Sequence, residues 1–173
     1  MSHNFLPSTD NIIFFDTEFS GNDFIKDEII SIGMVKMDDH ELYLELDTNI
    51  EASDWVKENV SPYLNGKRVD KKVAVQLISN FVGNSQPYLM SFRPLFDMAY
   101  FYKIFEFHKA PFQEFPLDFT SILFSLGIDP KSYSGDNKIK FCKELGIDIS
   151  KYKIHNALDD AKLLREVYLK IVN

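Results

Sequence analysis

The first third of the chain alternates between apolar runs and short polar turns. Residues 11–16 contain the continuous apolar run Ile12–Phe15 and end in an acid, which is typical of a buried strand. Residues 28–36 and 41–47 flank the polar turn Met37–His40, and the second arm alternates apolar with polar residues. This pattern predicts a β-hairpin after the first strand, and with it an antiparallel meander of three strands.

After these strands, apolar residues recur at helical intervals instead of alternating with polar ones. Trp55, Val56 and Val60, and later the segment 73–81, carry apolar residues at intervals of three and four, which predicts two helices. Residues 87–92 are a short apolar run that follows these helices. This run predicts a fourth strand.

Helices dominate the rest of the sequence. The strongly apolar segment 95–107 predicts a helix with Asp97 in its first turn, segments 118–126 and 135–145 predict short helices, and segment 156–172 predicts a terminal helix. Strands followed by helices, with one more strand between them, predict an α/β domain. We expect a mixed central sheet, with an antiparallel meander and parallel strands, flanked by helices.

The composition is that of one globular domain. A length of 173 residues fits a single domain over residues 1–173, and 45% hydrophobic and 26% charged residues argue against disorder or a fibrous repeat. No apolar run approaches the ~18 residues of a membrane helix, and Met1–Pro7 lacks the regions of a secretory signal. With Cys142 as the single cysteine, we expect a cytoplasmic protein without disulfides.

The net charge of −7 argues against a protein that holds nucleic acid by a broad basic surface, because such surfaces use many Lys and Arg contacts to phosphates. It does not exclude nucleic acid as a ligand. Divalent cations bound by some of the acids would reverse the local charge and attract a phosphate.

Two carboxylates follow the first apolar run, one residue apart. In a strand, residues two apart face the same side, so Asp16 and Glu18 are expected to project together. At that distance the two acids repel each other unless a cation lies between them. A hard divalent cation with oxygen ligands relieves this repulsion, so the pair predicts a metal site. Solvated acids at a strand end are the alternative, and further carboxylates are needed to decide.

The terminal helix offers one such carboxylate. Asp160 shares a stripe with Leu164, Val167 and Ile171, which predicts that it faces inward, whereas Asp159 lies on a different face and is expected to be solvated or to stabilise the helix start. An acid on an apolar stripe is costly unless it is paired or bound to metal. Asp160 therefore needs a partner.

His155 and Asp97 each have an ordinary interpretation. A histidine before a helix is more often structural than catalytic, and an acid in a first helical turn stabilises the helix dipole. Their order along the chain changes this picture. Asp16-Thr17-Glu18, then Asp97, then His155-x-Ala157-x-x-Asp160 resembles the DEDD superfamily of 3′–5′ exonucleases, in its histidine-containing branch (RNase T and DnaQ-like), whose members have an RNase H-like fold.

Further residues are similar to one subgroup, the RNase AS-type exoribonucleases that degrade polyadenylate. They are Asp16–Phe19, Ser31–Gly33, the pattern Trp55-Val56-x-x-Asn59-Val60-x-Pro62-x-Leu64, and His155–Leu158. One departure concerns the middle acid, which is commonly preceded by a His-Asn pair in the superfamily. Here the approach reads Ser91-Phe92-Arg93-Pro94-Leu95-Phe96, so substrate contacts of that pair do not carry over.

The resemblance implies a mechanism with two Mg²⁺ or Mn²⁺ ions. Asp16 would bridge both ions, Glu18 and Asp160 would complete one site, and Asp97 would support the other directly or through water. His155 would be the general base, since a histidine with an ordinary pKa of about 6.5 accepts a proton at neutral pH.

The resemblance also implies the partner, the 3′ end of single-stranded RNA, and a possible homodimer. Phe19 is a candidate platform for the terminal base, with core packing as the alternative, and Arg93 is a candidate phosphate contact. Two other functions stay open from the sequence. One is a proofreading-type DNA exonuclease of the same superfamily, and the other is a non-catalytic binding module on the same fold.

Overall fold

A mixed sheet of six strands runs through the centre of the protein in a computed structural model that describes residues 7–105 and 110–172. The strands are β1 (Ile12–Phe19), β2 (Ile29–Lys36), β3 (Glu41–Leu46), β4 (Arg68–Val69), β5 (Tyr88–Ser91) and β6 (Leu117–Asp118). Their spatial order is β4-β3-β2-β1-β5-β6. The first three strands are antiparallel, whereas β4 is parallel to β3, β5 to β1, and β6 to β5.

Helices flank this sheet, as the sequence predicts. They are α1 (Asp54–Asn59), α2 (Lys71–Val82), α3 (Pro94–Phe101), α4 (Phe119–Ser125), α5 (Asn137–Glu144) and α6 (Ala157–Val172), with short 3₁₀ turns at Ser61–Tyr63, Pro130–Tyr133 and Ile149–Lys151. The predicted α/β class with a mixed sheet is confirmed. Among the described residues, no helix has both the length and the apolar character needed to cross a membrane.

The alternation of side chains along β1 divides the apolar core into two layers. Ile13 and Phe15 face α2 and α3, whereas Ile12 and Phe14 face α4, α5 and α6. The second layer also contains Cys142, whose thiol is fully buried, and burial raises its pKa. Because residues two apart share a face, Asp16 and Glu18 continue the Ile12 and Phe14 row toward α6.

β1 is longer than the run of residues 11–16 that predicts it. It continues through both acids to Phe19 because β2 pairs with it over this whole length, with a bulge between Glu18 and Phe19. β5 pairs only with Ile12–Phe14 of β1. The acids therefore lie inside the strand, where one neighbour continues and the other has ended. The two-residue strands β4 and β6 give no periodic signal, and the sequence analysis does not predict them.

α3 is shorter than the predicted helix over residues 95–107. It ends at Phe101, and the next residues form turns in which Lys103 and Ile104 donate main-chain hydrogen bonds to carbonyls three residues back. The apolar character of this stretch reflects ring packing, since Phe101 contacts the rings of Phe105 and Phe112 at centroid distances of 5.2 and 5.4 Å. Residues 106 and 107 lie outside the described residues. As predicted, Asp97 is in the first turn of the helix.

The first turn of α6 lies against the backbone of β2. A Cβ atom placed on Gly33 would be 2.2 Å from the carbonyl carbon of Ala157 and 2.2 Å from the amide nitrogen of Leu158. Only a residue without a side chain fits this contact. Gly33 pairs directly with Asp16 on β1, so the same contact places the start of α6 beside the acids.

We predict that Gly33→Ala lowers the free energy of unfolding by about 3 kcal/mol or more, because two backbone segments would have to separate to admit the methyl group. Urea denaturation measures this loss. Gly21→Ala is the matched control, since the atoms nearest to its Cβ belong to the side chain of Asp27, which can shift at the cost of its hydrogen bonds without a separation of backbone segments. A Gly33→Ala protein no less stable than Gly21→Ala would show that the contact is dispensable.

Candidate active site

Three carboxylates from opposite ends of the chain meet at the carboxyl end of β1. One oxygen from each of Asp16, Glu18 and Asp160 lies within 4.8 Å of the others. β1 supplies the first two, on the face that packs against α6, and the first turn of α6 supplies the third. Asp160 points inward as its apolar stripe predicts, and its side chain is only 10% exposed. We call these three residues the acid cluster.

Two carboxyls of the acid cluster, those of Asp16 and Glu18, hold their protons more tightly than ordinary carboxyls do. Burial, followed by repulsion from Asp97, Asp160 and Glu18, raises the pKa of Asp16 well above its ordinary value. Burial, followed by repulsion from Asp160 and Asp97, raises the pKa of Glu18 to about 8. In the absence of a cation, full ionisation of the cluster is therefore unfavourable at neutral pH.

A lysine from α5 opposes this repulsion. Nζ of Lys138 lies 2.5 Å from Oδ1 of Asp160, and its positive charge lowers the pKa of both Asp16 and Glu18. The sequence analysis does not identify this residue. The feature that could have pointed to Lys138 is its position in the first turn of a helix, where the helix dipole disfavours a cation.

Asp97 lies outside the acid cluster and is held by hydrogen bonds. Its Oδ1 accepts the main-chain N–H of Thr17 at 3.2 Å and the hydroxyl of Thr17 at 2.6 Å, and its Oδ2 accepts the hydroxyl of Ser91 at 2.8 Å. Burial raises the pKa of Asp97 to about 6, against the opposite effect of these hydrogen bonds. The Asp97 carboxylate is thus hydrogen-bonded to Thr17, which lies past the part of β1 that pairs with β5. It is also close enough to Asp16 for the two carboxylates to repel each other.

His155 is attached to the acid cluster through its backbone. Its N–H donates to Oδ2 of Asp160 at 2.7 Å, and its φ of 69° is in the left-handed region, which few residues other than glycine adopt. The ring packs edge-on against Trp55 at a centroid distance of 5.0 Å. Trp55 is half exposed, so the imidazole lies at the edge of the site beside an accessible aromatic ring. Asp159 accepts the main-chain N–H of Lys153 at 3.0 Å.

The two candidate substrate residues differ in their surroundings. The ring of Phe19 stacks on Tyr100 at a centroid distance of 4.1 Å and packs against the core, in accordance with the packing alternative. Arg93 is exposed at the start of α3, with its guanidinium 5.7 Å from the ring of Phe92 and 6.0 Å from that of Phe96.

Two exposed aromatic rings stack on each other, and one of them belongs to the residue before Asp97 in the chain. No local sequence pattern points to this pair. Phe24 and Phe96 stack with their centroids 5.2 Å apart and their planes at 22°, and the two residues are 38% and 40% exposed. Leu95 and Ile25 extend the apolar surface around them. Phe96 directly precedes Asp97 on α3, but the two side chains point in different directions, since Phe96 is exposed and Asp97 is buried.

The acid cluster fits a divalent cation of the hard, oxygen-binding kind. Its three donors are carboxylate oxygens, close enough to contact one ion, and their mutual repulsion is the penalty that such an ion removes. Both Mg²⁺ and Mn²⁺ prefer ligands of this type.

Comparisons with known proteins give structural neighbours. No family model matches the chain, and no curated protein matches it. A structure of exonuclease I, whose description concerns how processivity is achieved, aligns with 92% of this chain and 40% of its own at a TM-score of 0.70 and 11% identity. Exonuclease I of E. coli in complex with a dT13 oligonucleotide aligns with 93% and 40%, at a TM-score of 0.69 and 11% identity.

The chain has an exonuclease-type, RNase H-like fold. A zinc-bound form of the E. coli exonuclease I complex with single-stranded DNA aligns with 92% of this chain and 40% of its own, at a TM-score of 0.52 and 10% identity. The chain spans about two fifths of the length of these exonuclease I chains. At such low identity the likeness establishes the architecture, and the activity has to be argued from the site.

We predict that the metal-free protein loses stability as the pH rises. Glu18 has a higher pKa folded than unfolded, so between its ordinary value of 4.5 and about 8 the folded state binds more protons. The free energy of unfolding then falls with rising pH, by about 1.4 kcal/mol per pH unit for each additional proton. Thermal melts in EDTA across this interval should show a falling Tm.

The variant Glu18→Gln should flatten this dependence, because it removes one titrating group while Asp16, Asp97, Asp160 and Lys138 remain around it. Glu144→Gln, on the exposed surface of α5, is the control and should leave the slope unchanged. A Tm in EDTA that rises or stays constant from pH 5 to 8 would contradict the prediction.

Proposed function

We propose that the protein is a metal-dependent 3′–5′ exonuclease that releases nucleoside 5′-monophosphates from single-stranded nucleic acid. The observation that carries this proposal is the convergence of Asp16, Glu18 and Asp160, one oxygen of each within 4.8 Å of the others, on an exonuclease-type fold. The order of these residues, with His155 and Asp97, supports the histidine-containing branch of the DEDD superfamily and, within it, likeness to the RNase AS type.

Two Mg²⁺ or Mn²⁺ ions are part of the proposal. Asp16, Glu18 and Asp160 would hold them, with Asp97 as a further support, and bound ions would supply the positive charge that a phosphodiester needs beside carboxylates. The protein holds this arrangement in place through hydrogen bonds. His155 N–H fixes the Asp160 carboxylate, and Thr17 and Ser91 fix that of Asp97.

His155 is the proposed general base, which accepts the proton of the attacking water. Its backbone lies against Asp160, and Trp55 supports its ring from the side. The ring is partly exposed and therefore reachable by substrate and solvent. A base so placed contributes ~10² to 10⁴ in rate.

Single-stranded RNA is the proposed substrate, because of the RNase AS resemblance. Base stacking suits this protein better than a basic surface, since the net charge is −7 and each base stacked on an aromatic side chain contributes ~1 to 3 kcal/mol. The exposed rings of Phe24 and Phe96 support this mode of binding, with Arg93 as the nearby phosphate contact.

Single-stranded DNA is the second candidate substrate, because exonuclease I of E. coli is described in complex with a dT13 oligonucleotide. A cytoplasmic location and a homodimer complete the proposal. The location repeats the expectation from the sequence, and the homodimer rests on the family resemblance alone. If the following experiment shows no cleavage, it would point instead to a non-catalytic module on the same fold.

We expect stepwise release of mononucleotides from a 5′-labelled single-stranded RNA in Mg²⁺ or Mn²⁺, and none in EDTA. Gel analysis of RNA and DNA of identical sequence, alone and in competition, measures both direction and sugar preference, and a set of RNAs with different 3′ nucleotides tests for a preference for adenosine. Equal rates on RNA and DNA would refute RNA specificity, and intact substrate with every metal would refute the nuclease proposal.

We predict that His155→Ala lowers kcat by ~10² to 10⁴ while Mn²⁺ still raises the Tm, because the imidazole moves a proton and does not belong to the acid cluster. Asp16→Asn should abolish both turnover and the Mn²⁺ shift. His40→Ala, in the exposed turn after β2, is the matched control and should behave as wild type. Wild-type turnover in His155→Ala would remove His155 from the mechanism.

A further inference from the structure

Lys138 is a cation built into the acid cluster. Its Nζ lies 2.5 Å from Oδ1 of Asp160, and the two side chains are only 18% and 10% exposed. The other oxygen of Asp160 accepts the N–H of His155 at 2.7 Å. Both oxygens of the Asp160 carboxylate are therefore engaged by groups of the protein itself.

An aromatic ring holds the ammonium group from a second side. Nζ of Lys138 lies 5.0 Å from the ring centroid of Tyr133, over a face that attracts cations through its quadrupole. Tyr133 is almost completely buried, and its ring packs edge-on against Phe92, Phe119 and Phe141. The surroundings of the ammonium are thus fixed by the core.

The stability of α5 does not account for a lysine at this position. Lys138 is in the first turn, where the helix dipole disfavours a positive charge, and Asp136 before it makes no side-chain cap. Lys140 on the same helix shows the ordinary arrangement, with an 81% exposed side chain 3.9 Å from Glu144. The contrast indicates that Lys138 serves the acid cluster.

We propose that Lys138 competes with a divalent cation for Oδ1 of Asp160. This inference rests on the proposed metal site of Asp16, Glu18 and Asp160. A divalent cation on that oxygen would lie beside the ammonium, and the two positive charges would repel each other, so the ion pair weakens the binding of any ion that Asp160 ligates. The other ion, which Asp16 would hold with Asp97 as its support, leaves the ion pair intact.

The competition gives the two proposed ions unequal affinities. Lys138 partly neutralises the acid cluster when no metal is bound, which reduces the repulsion among its three carboxylates. Its flexible four-carbon stem allows the ammonium to move aside without a change in the fold. The ion that uses Asp160 is therefore the weaker of the two.

Calorimetric titration with Mn²⁺, without nucleic acid and at pH 8.5, tests this order. Lys138→Met keeps the length of the side chain and removes its charge, and we expect it to tighten the weakest Mn²⁺ site about tenfold. Lys138→Arg should stay close to wild type because it keeps the charge. Lys140→Met, on the same helix and away from the acid cluster, is the matched control and should bind Mn²⁺ as wild type does.

The competition also predicts that the two residues act together. In an Asp160→Asn background, Lys138→Met should tighten Mn²⁺ binding by much less than tenfold, because the contested carboxylate is gone and only the repulsion between the ammonium and the ion remains. Melts in EDTA establish that each variant is folded, and Lys138→Gln replaces Lys138→Met if the latter is not.

Two results would overturn the inference, and they differ. Wild-type Mn²⁺ affinities in folded Lys138→Met, with normal binding elsewhere, would show that the ammonium does not compete, and would leave the proposed function intact. Absence of Mn²⁺ binding in wild type would refute the metal site of the proposed function, and this inference with it.

Discussion

The contact between the first turn of α6 and the backbone of β2 fixes the geometry of the whole site. Side chains usually hold a helix away from the backbone of the sheet on which it packs, whereas the absence of a side chain on Gly33 lets Ala157 and Leu158 approach the strand directly. Gly33 is paired with Asp16, so the same approach brings Asp160 to the acids of β1. His155 belongs to this contact too, because it precedes α6 and binds Asp160 through its N–H.

The arrangement concentrates negative charge where burial makes it unfavourable. Burial and mutual repulsion both raise the pKa of Asp16 and Glu18, and the protein compensates with groups from several elements. Lys138 supplies a positive charge, and hydrogen bonds from Thr17 and Ser91 stabilise the ionised form of Asp97. Functional sites often contain destabilising features of this kind, and the rest of the core supplies the stability that the site lacks.

Much of this site follows from periodicity. The period of two in β1 places Asp16 and Glu18 on one face, and the period of 3.6 in α6 turns Asp160 inward, so both orientations could be deduced from residues close in sequence. What local patterns do not contain is contact between distant segments. Lys138, the hydrogen bonds of Asp97, and the stacking of Phe24 on Phe96 each join residues from separate elements. For the same reason the apolar run after Asp97 predicted too long a helix, because packing among Phe101, Phe105 and Phe112 resembles helical periodicity.

The burial of Cys142 has a practical consequence. The thiol is enclosed in the layer between the sheet and α6, and burial raises its pKa, so little of it is in the reactive thiolate form. A thiol-modifying reagent can reach this sulfur only when that layer opens. Because the sequence holds a single cysteine, the rate of its modification reports the opening of one defined half of the core, without any introduced label.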